Sequence, residues 1–239
     1  MPSKDCHGLN MYYEIIGEGE PLVLISGLGS DHLNWAMAQV PAFTGAGYQC
    51  LVFDNRDVGQ TDDSPAASYT IRQFADDTAA LLDQLDLGPA HVLGASMGGM
   101  IAQELTINYP ERVRSVTFVC TFAAAEPYNV HLIESWKTVA RHVSLSDLYA
   151  VIGPWVFTHR FYEQPENLQM FMQMLQENPF PQSADCFCRQ CDAVVTHDAS
   201  DRLTSITAPT HVIVGSEDIL TPPRQSRALA DKTPGAKLT

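Results

Sequence analysis

Residues 1–239 contain no uninterrupted apolar run approaching the roughly 20 residues that a membrane-spanning helix needs, which argues against a transmembrane protein. The opening stretch Met1-Pro2-Ser3-Lys4-Asp5-Cys6-His7 has no apolar centre such as a signal peptide carries, so a soluble, cytoplasmic chain is expected. Basic residues are scarce: 14 Lys and Arg stand against 28 Asp and Glu, a formal net charge of −14. A chain of that sign repels phosphate backbones and anionic headgroups, so neither nucleic acid nor a membrane surface is an expected partner. No block of like charge exceeds a pair (Asp62-Asp63, Asp76-Asp77), the pattern of solvated loop and helix faces. Cysteine is thinly spread. Of six, only Cys186, Cys188 and Cys191 cluster, while Cys6, Cys50 and Cys120 are isolated, which fits reduced thiols better than a disulfide framework. Internal repeats and low-complexity segments are also absent.

With 45% hydrophobic and 18% charged residues, the chain can bury a sizeable core as one large domain, or one domain with an insertion. Five short apolar runs each stop at a glycine or a polar loop: residues 21–26, 49–54, 90–93, 115–120 and 210–214. Continuous, β-branched runs of this kind predict fully buried parallel strands. Between them Ile71, Phe74, Ala75, Thr78, Leu81, Leu82 and Leu85 recur at helical spacing until Gly88-Pro89, and a second helix from Met100 to Tyr109 is stopped by Pro110. The alternation predicts an α/β domain, a mostly parallel central sheet with helices on both faces, whose ligands bind beyond the carboxyl ends of the strands.

Residues 125–197 break the alternation. They are helical in pattern and rich in large apolar side chains, Trp136, Trp155, Phe157, Phe161, Phe171 and Met174 among them, and are punctuated by Pro154, Pro165, Pro179 and Pro181. They read as a helical insertion over the strand ends, dividing the core into 1–124 and 198–239.

Gly94-Ala95-Ser96-Met97-Gly98-Gly99 lies between a predicted buried strand and a helix, the context of a nucleophile elbow that leaves the Ser96 hydroxyl free above the sheet. Acyl transfer also needs donors for a tetrahedral oxyanion. The backbone N–H of Leu28, in Ser26-Gly27-Leu28-Gly29, and that of Met97 are placed to supply them. A carboxylate in Gly215-Ser216-Glu217-Asp218 could orient a histidine, Glu217 being the neighbour open to confusion with Asp218.

These stretches, together with Asp54-Asn55-Arg56-Asp57-Val58-Gly59-Gln60-Thr61 and Thr221-Pro222, occur in an order that resembles α/β-hydrolases of the esterase and lactonase type. Relatives of that type include 3-oxoadipate enol-lactonases, polyketide methylesterases and N-acyl homoserine lactonases. The resemblance implies the α/β-hydrolase fold, Ser96 as nucleophile, Asp218 as triad acid, Leu28 and Met97 as oxyanion donors, and residues 125–197 as a cap. It further implies a small-molecule ester or lactone as substrate and no cofactor. The pocket is expected to use Gly27, His32, Trp136, Trp155 and Phe157, although the cap aromatics would serve equally as cap core. Two departures stand out. Ser26 replaces the histidine common before the oxyanion glycine, and no histidine follows His211, although the triad histidine is expected one strand beyond Asp218. Ala236-Lys237-Leu238-Thr239 reads as the start of that strand, which places the base beyond residue 239. A sheet edge left open there invites pairing into a homo-oligomer. A non-catalytic ligand-binding relative, or a C–C hydrolase or perhydrolase with the same triad, is the competing reading. Cys186-Phe187-Cys188-Arg189-Gln190-Cys191 lacks a fourth ligand at zinc spacing, so no metal is expected and the cysteines read as buried thiols in the last cap helix.

Overall fold

The computed structural model describes residues 2–239. The chain opens with strands β1 (Ser3–Cys6) and β2 (Leu9–Ile16), joined through His7 and Gly8. Both turn residues have positive φ, 58° and 84°, the conformation of a two-residue type I′ hairpin. Neither strand figured in the sequence reading. Strand β3 (Glu20–Ile25), a 3₁₀ turn (His32–Trp35), α1 (Gln39–Gly45), β4 (Tyr48–Phe53), α2 (Ile71–Gln84), β5 (Ala90–Ala95), α3 (Met97–Asn108) and β6 (Val113–Val119) follow. Helices α4 (Pro127–Ala140), α5 (Leu145–Val156), α6 (His159–Tyr162), α7 (Pro165–Glu177) and α8 (Ala184–Thr196) come next. The chain then returns to the sheet with β7 (Thr210–Ile213), α9 (Pro223–Lys232) and β8 (Lys237–Leu238).

The eight strands lie in the order β1-β2-β4-β3-β5-β6-β7-β8. Pairing is parallel from β4 across to β8, and β1 and β2 add an antiparallel flank. Both faces of the centre are buried, and the strand side chains show why. Leu22 and Leu24 join Trp35, Val40, Cys50 and Val52 on one face, whereas Val23 and Ile25 join Leu51, Phe53, Val92 and Ile101 on the other. The α2 start is fixed by a capping box between Thr70 and Gln73. Among the described residues no helix is long and apolar enough to cross a membrane.

The order reverses at β3, which has β4 on one side and β5 on the other, so the crevice favoured for ligands opens at the carboxyl ends of β3 and β5. Above it sit α4–α8, inserted between β6 and β7. The insertion is pinched at its base by an antiparallel bridge between Ala124 and Asp198 and by the Ala199 N–H donating to Ala123 O at 2.9 Å.

Candidate active site

Ser96 occupies the single residue between β5 and α3, at φ 54°, ψ −119°. A non-glycine residue tolerates this conformation only where its surroundings over-determine it. They do here: its N–H donates to Val119 O at 2.9 Å, and its own carbonyl accepts from Gly99 N at 2.9 Å and from the Thr121 hydroxyl at 2.8 Å. The turn is closed so tightly that two positions must be glycine. A Cβ on Gly94 would overlap the Gly98 carbonyl and come within 2.8 Å of Gly99 N. One on Gly98 would overlap Ile25 O and lie 2.7 Å from Ile25 C. The strand-end serine is thereby lifted to the mouth of the crevice.

The loop after β3 lies directly against it. A Cβ built on Gly27 would stand 3.3 Å from the Ser96 Cβ and 3.8 Å from its Oγ. Ser26 anchors the loop from below: its hydroxyl donates to Asp31 O at 3.1 Å and accepts from Trp35 Nε1 at 2.8 Å, and its carbonyl accepts from Asn55 Nδ2 at 3.3 Å. Among the described residues, no acceptor is paired with the N–H of Leu28 or with that of Met97. Met97 itself is fully buried in the first turn of α3.

Asp218 follows β7 on a turn closed by its N–H to Gly215 O at 3.1 Å. Its carboxylate accepts from the N–H groups of Leu220 (2.9 Å) and Thr221 (2.7 Å) and from the Thr221 hydroxyl (2.9 Å), which fixes its orientation. Glu217 is exposed and, among the described residues, engages only His159, at 3.9 Å.

Ser96, Gly27, Leu28 and Asp218 line one cavity of about 650 Å³ under the cap, together with Trp136, Trp155 and Phe157. Its cap wall is aromatic. Trp136 meets Trp155 edge to face at 6.1 Å, and Phe157 stacks on Phe161 at 4.0 Å and meets Phe171 at 5.0 Å. His32 is the expected pocket residue that is not in this wall. Its ring turns into the core, where Nδ1 lies 2.8 Å from the buried carboxylate of Asp54, and its backbone N–H donates to the same oxygen at 2.7 Å. Burial pulls the imidazole pKa down, but the Asp54 hydrogen bond and charge outweigh it and the net shift is upward. His32 therefore braces the Asp54–Thr61 turn instead of facing a ligand. No histidine among the described residues lines the cavity. His91 and His211 sit low on the sheet against Ser115 and Thr239, and His197 is buried beside Glu104.

Three contributors had no local signature in the sequence. Cys120, at the end of β6 with φ 47°, lines the cavity near Asp218. Burial pushes its thiol pKa up to about 11, the Gly215 N–H opposing and the Asp218 charge adding to the rise, so it is a neutral thiol at physiological pH. Tyr149 and Gln190 reach from the cap to the loop beside the nucleophile, the Tyr149 hydroxyl donating to Gly29 O at 3.0 Å and Gln190 Oε1 accepting from Gly29 N at 2.9 Å. Cys186, Cys188 and Cys191 are buried free thiols on α8. Cys186 approaches Asp57 and Asp63, but the Asp57 carboxylate is already taken by Arg189 Nε (2.7 Å), the Tyr69 hydroxyl (2.5 Å) and Ser64 N (2.5 Å).

Comparison with known proteins agrees with this fold. A family model described as the α/β-hydrolase fold matches residues 20–239. The Mycobacterium tuberculosis protein named as non-heme bromoperoxidase BpoC is 33% identical over 249 residues, covering 96% of this chain and 87% of that protein. Among solved structures, the enol-lactonase from Burkholderia xenovorans LB400 superposes with a TM-score of 0.88 at 27% identity, covering 100% of this chain and 90% of its own. Est816, an N-acyl homoserine lactone degrading enzyme, superposes with a TM-score of 0.76 at 27% identity and the same coverage.

Proposed function

The chain belongs to the α/β-hydrolase family, and from that premise we propose that it hydrolyses carboxylic esters or lactones through an acyl-enzyme on Ser96. The observation that carries this reading is the strained Ser96 turn, open to the cavity, with the backbone N–H groups of its neighbour Met97 and of Leu28 in the adjoining loop left without an acceptor among the described residues. In this reading Ser96 Oγ attacks the acyl carbon as a base removes its proton, and the carbonyl oxygen becomes an oxyanion facing those two donors. Collapse breaks the bond to the alcohol oxygen, which takes the proton from the base; in a lactone that alcohol stays tethered to the acyl group. Water then attacks the acyl-enzyme with the same base, releasing the acid and restoring Ser96. Asp218 orients and stabilises the base. No histidine among the described residues lines the cavity, so the base is assigned to none of them.

The apolar cap wall favours a short or medium acyl chain, and similarity to lactone-cleaving enzymes favours a lactone among the candidates. The test is turnover of p-nitrophenyl esters and an acyl homoserine lactone by the full-length protein. Replacing Ser96 with Ala is expected to lower kcat by roughly 10⁴-fold or more with the fold intact. Near-full activity in that variant removes Ser96 from the mechanism.

A further inference from the structure

Resting on that reading, we infer that Gln190 and Tyr149 of the cap are positioning residues for the oxyanion hole. They hold the loop that carries the Leu28 donor in register with Ser96.

The loop has two kinds of support. Its ends, Ser26 and Asp31, are tied to the core through Trp35, Asn55 and the Ser26 hydroxyl. Its crest is different. Gly29 follows Leu28 at φ 66°, and both of its peptide groups are bonded to the cap: the N–H to Gln190 Oε1 on α8, the carbonyl to the Tyr149 hydroxyl on α5. Gln190 is completely buried, and its other amide group donates to Arg56 O at 2.9 Å, so the side chain is a strut between two core loops. Space is equally exacting, since a Cβ on Gly29 would overlap the Tyr149 oxygen and lie 3.3 Å from Gln182 Oε1. The residue that frees the crest sterically is also the one most able to reorient, because glycine at positive φ has other backbone states open to it. The N–H of Gly29 shares a peptide plane with the Leu28 carbonyl. The Leu28 N–H lies in the preceding peptide plane, so holding the Leu28–Gly29 plane from the cap while Ser26 is held from the core restricts the φ and ψ rotations at Leu28 that aim that N–H. Substrate binding by the apolar wall does not depend on that direction, whereas stabilisation of the oxyanion does.

Three substitutions in the full-length protein test this. Tyr149→Phe removes one hydroxyl, and Gln190→Met removes both amide bonds at similar length. Expected is a fall in kcat of several-fold for Tyr149→Phe and roughly 10- to 100-fold for Gln190→Met, with KM within about threefold of wild type. Affinity for a trifluoromethyl ketone, whose adduct with Ser96 presents an oxyanion, should fall in parallel with kcat/KM. Gln190→Glu supplies the rescue. Only its protonated form can both accept from Gly29 N–H and donate to Arg56 O, so its kcat relative to wild type at the same pH should rise as pH falls. Unchanged kcat in Tyr149→Phe and Gln190→Met overturns the inference, and so does a loss confined to KM. A pH-independent ratio for Gln190→Glu overturns it as well. Should Gln190→Met fail to fold, Tyr149→Phe and the adduct affinity decide alone. The hydrolase reading fails separately, by full activity of Ser96→Ala or by absence of turnover on every ester and lactone.

Discussion

Replacing Gly98 with Ala adds a net one carbon and two hydrogens, yet it should damage both stability and catalysis. The new Cβ would lie 2.7 Å from Ile25 C and 2.8 Å from Ser26 O, besides overlapping Ile25 O. Carbon atoms in contact prefer about 3.5 Å or more, so α3 and the end of β3 must part by at least about 0.8 Å, and by more to clear Ile25 O. Both partners are backbone, and no side-chain rotation relieves the clash. Forced overpacking of this kind costs roughly 1–3 kcal/mol or more, which in a domain of this size lowers Tm by about 2–12 °C. The chemical effect is larger than the thermal one. Ile25 leads straight into Ser26 and the Leu28 donor, whereas Gly98 follows Met97, so the strain opens the gap between the two halves of the oxyanion hole. A misplacement approaching 1 Å is expected to reduce kcat by roughly 10²-fold. Gly45→Ala is the control, since its Cβ meets nothing within 4 Å and it sits in a helix. Thermal melts and p-nitrophenyl ester turnover of the two variants give the comparison. A Gly98→Ala protein with unchanged Tm and kcat would refute the account of the elbow.

Asp218→Asn should lower kcat by about 10⁴-fold, because an amide cannot stabilise an imidazolium, while Glu217→Gln should leave it within about twofold. The opposite ranking would move the triad acid to Glu217. His197 supplies a pH prediction: burial lowers its pKa to about 4, with Glu104 opposing and Arg202 assisting. An unfolded histidine titrates near 6.5, so the unfolded chain takes up the proton first. The contribution is complete above about pH 6.5 and drains away as pH falls toward 4, by roughly 3 kcal/mol in all and about 2 kcal/mol by pH 5. Urea midpoints at pH 7.5 and 5 should therefore converge in His197→Asn relative to wild type. An unaltered difference between the two pH values would count against the buried neutral imidazole.

Much of the sheet was legible because its central strands are buried on both faces and write themselves as unbroken apolar runs, as in Leu22–Ile25 and Leu51–Phe53. The antiparallel flank was not. Leu9 and Met11 alternate with polar neighbours for only a few residues, and the His7-Gly8 turn lacks the Asn-Gly or Asp-Gly pair that usually advertises a type I′ hairpin. At the site, Ser96 announces itself because its strain demands small neighbours at fixed offsets. His32 misled for the opposite reason. Its place in sequence suggests the pocket, but Asp54, distant along the chain and fully buried, claims the ring. Gln190 and Tyr149 lie more than a hundred residues from the glycine they hold, and nothing in a helical stretch marks a side chain that will reach another part of the molecule.

The bridge between Ala124 and Asp198 gives the molecule a property of lineage as much as of mechanics. Because the chain leaves and re-enters the sheet at a single stitched point, the register of β6 on β7 is indifferent to how long the excursion between them is. The entropy of closing such a loop grows only with the logarithm of its length. Caps of other sizes and other linings can therefore be grafted onto this stitch without renegotiating the strands below, and one catalytic sheet can be refitted for new acyl groups. The graft carries one demand from the site below: whatever replaces α5 and α8 must still bring an acceptor to the N–H of Gly29 and a donor to its carbonyl.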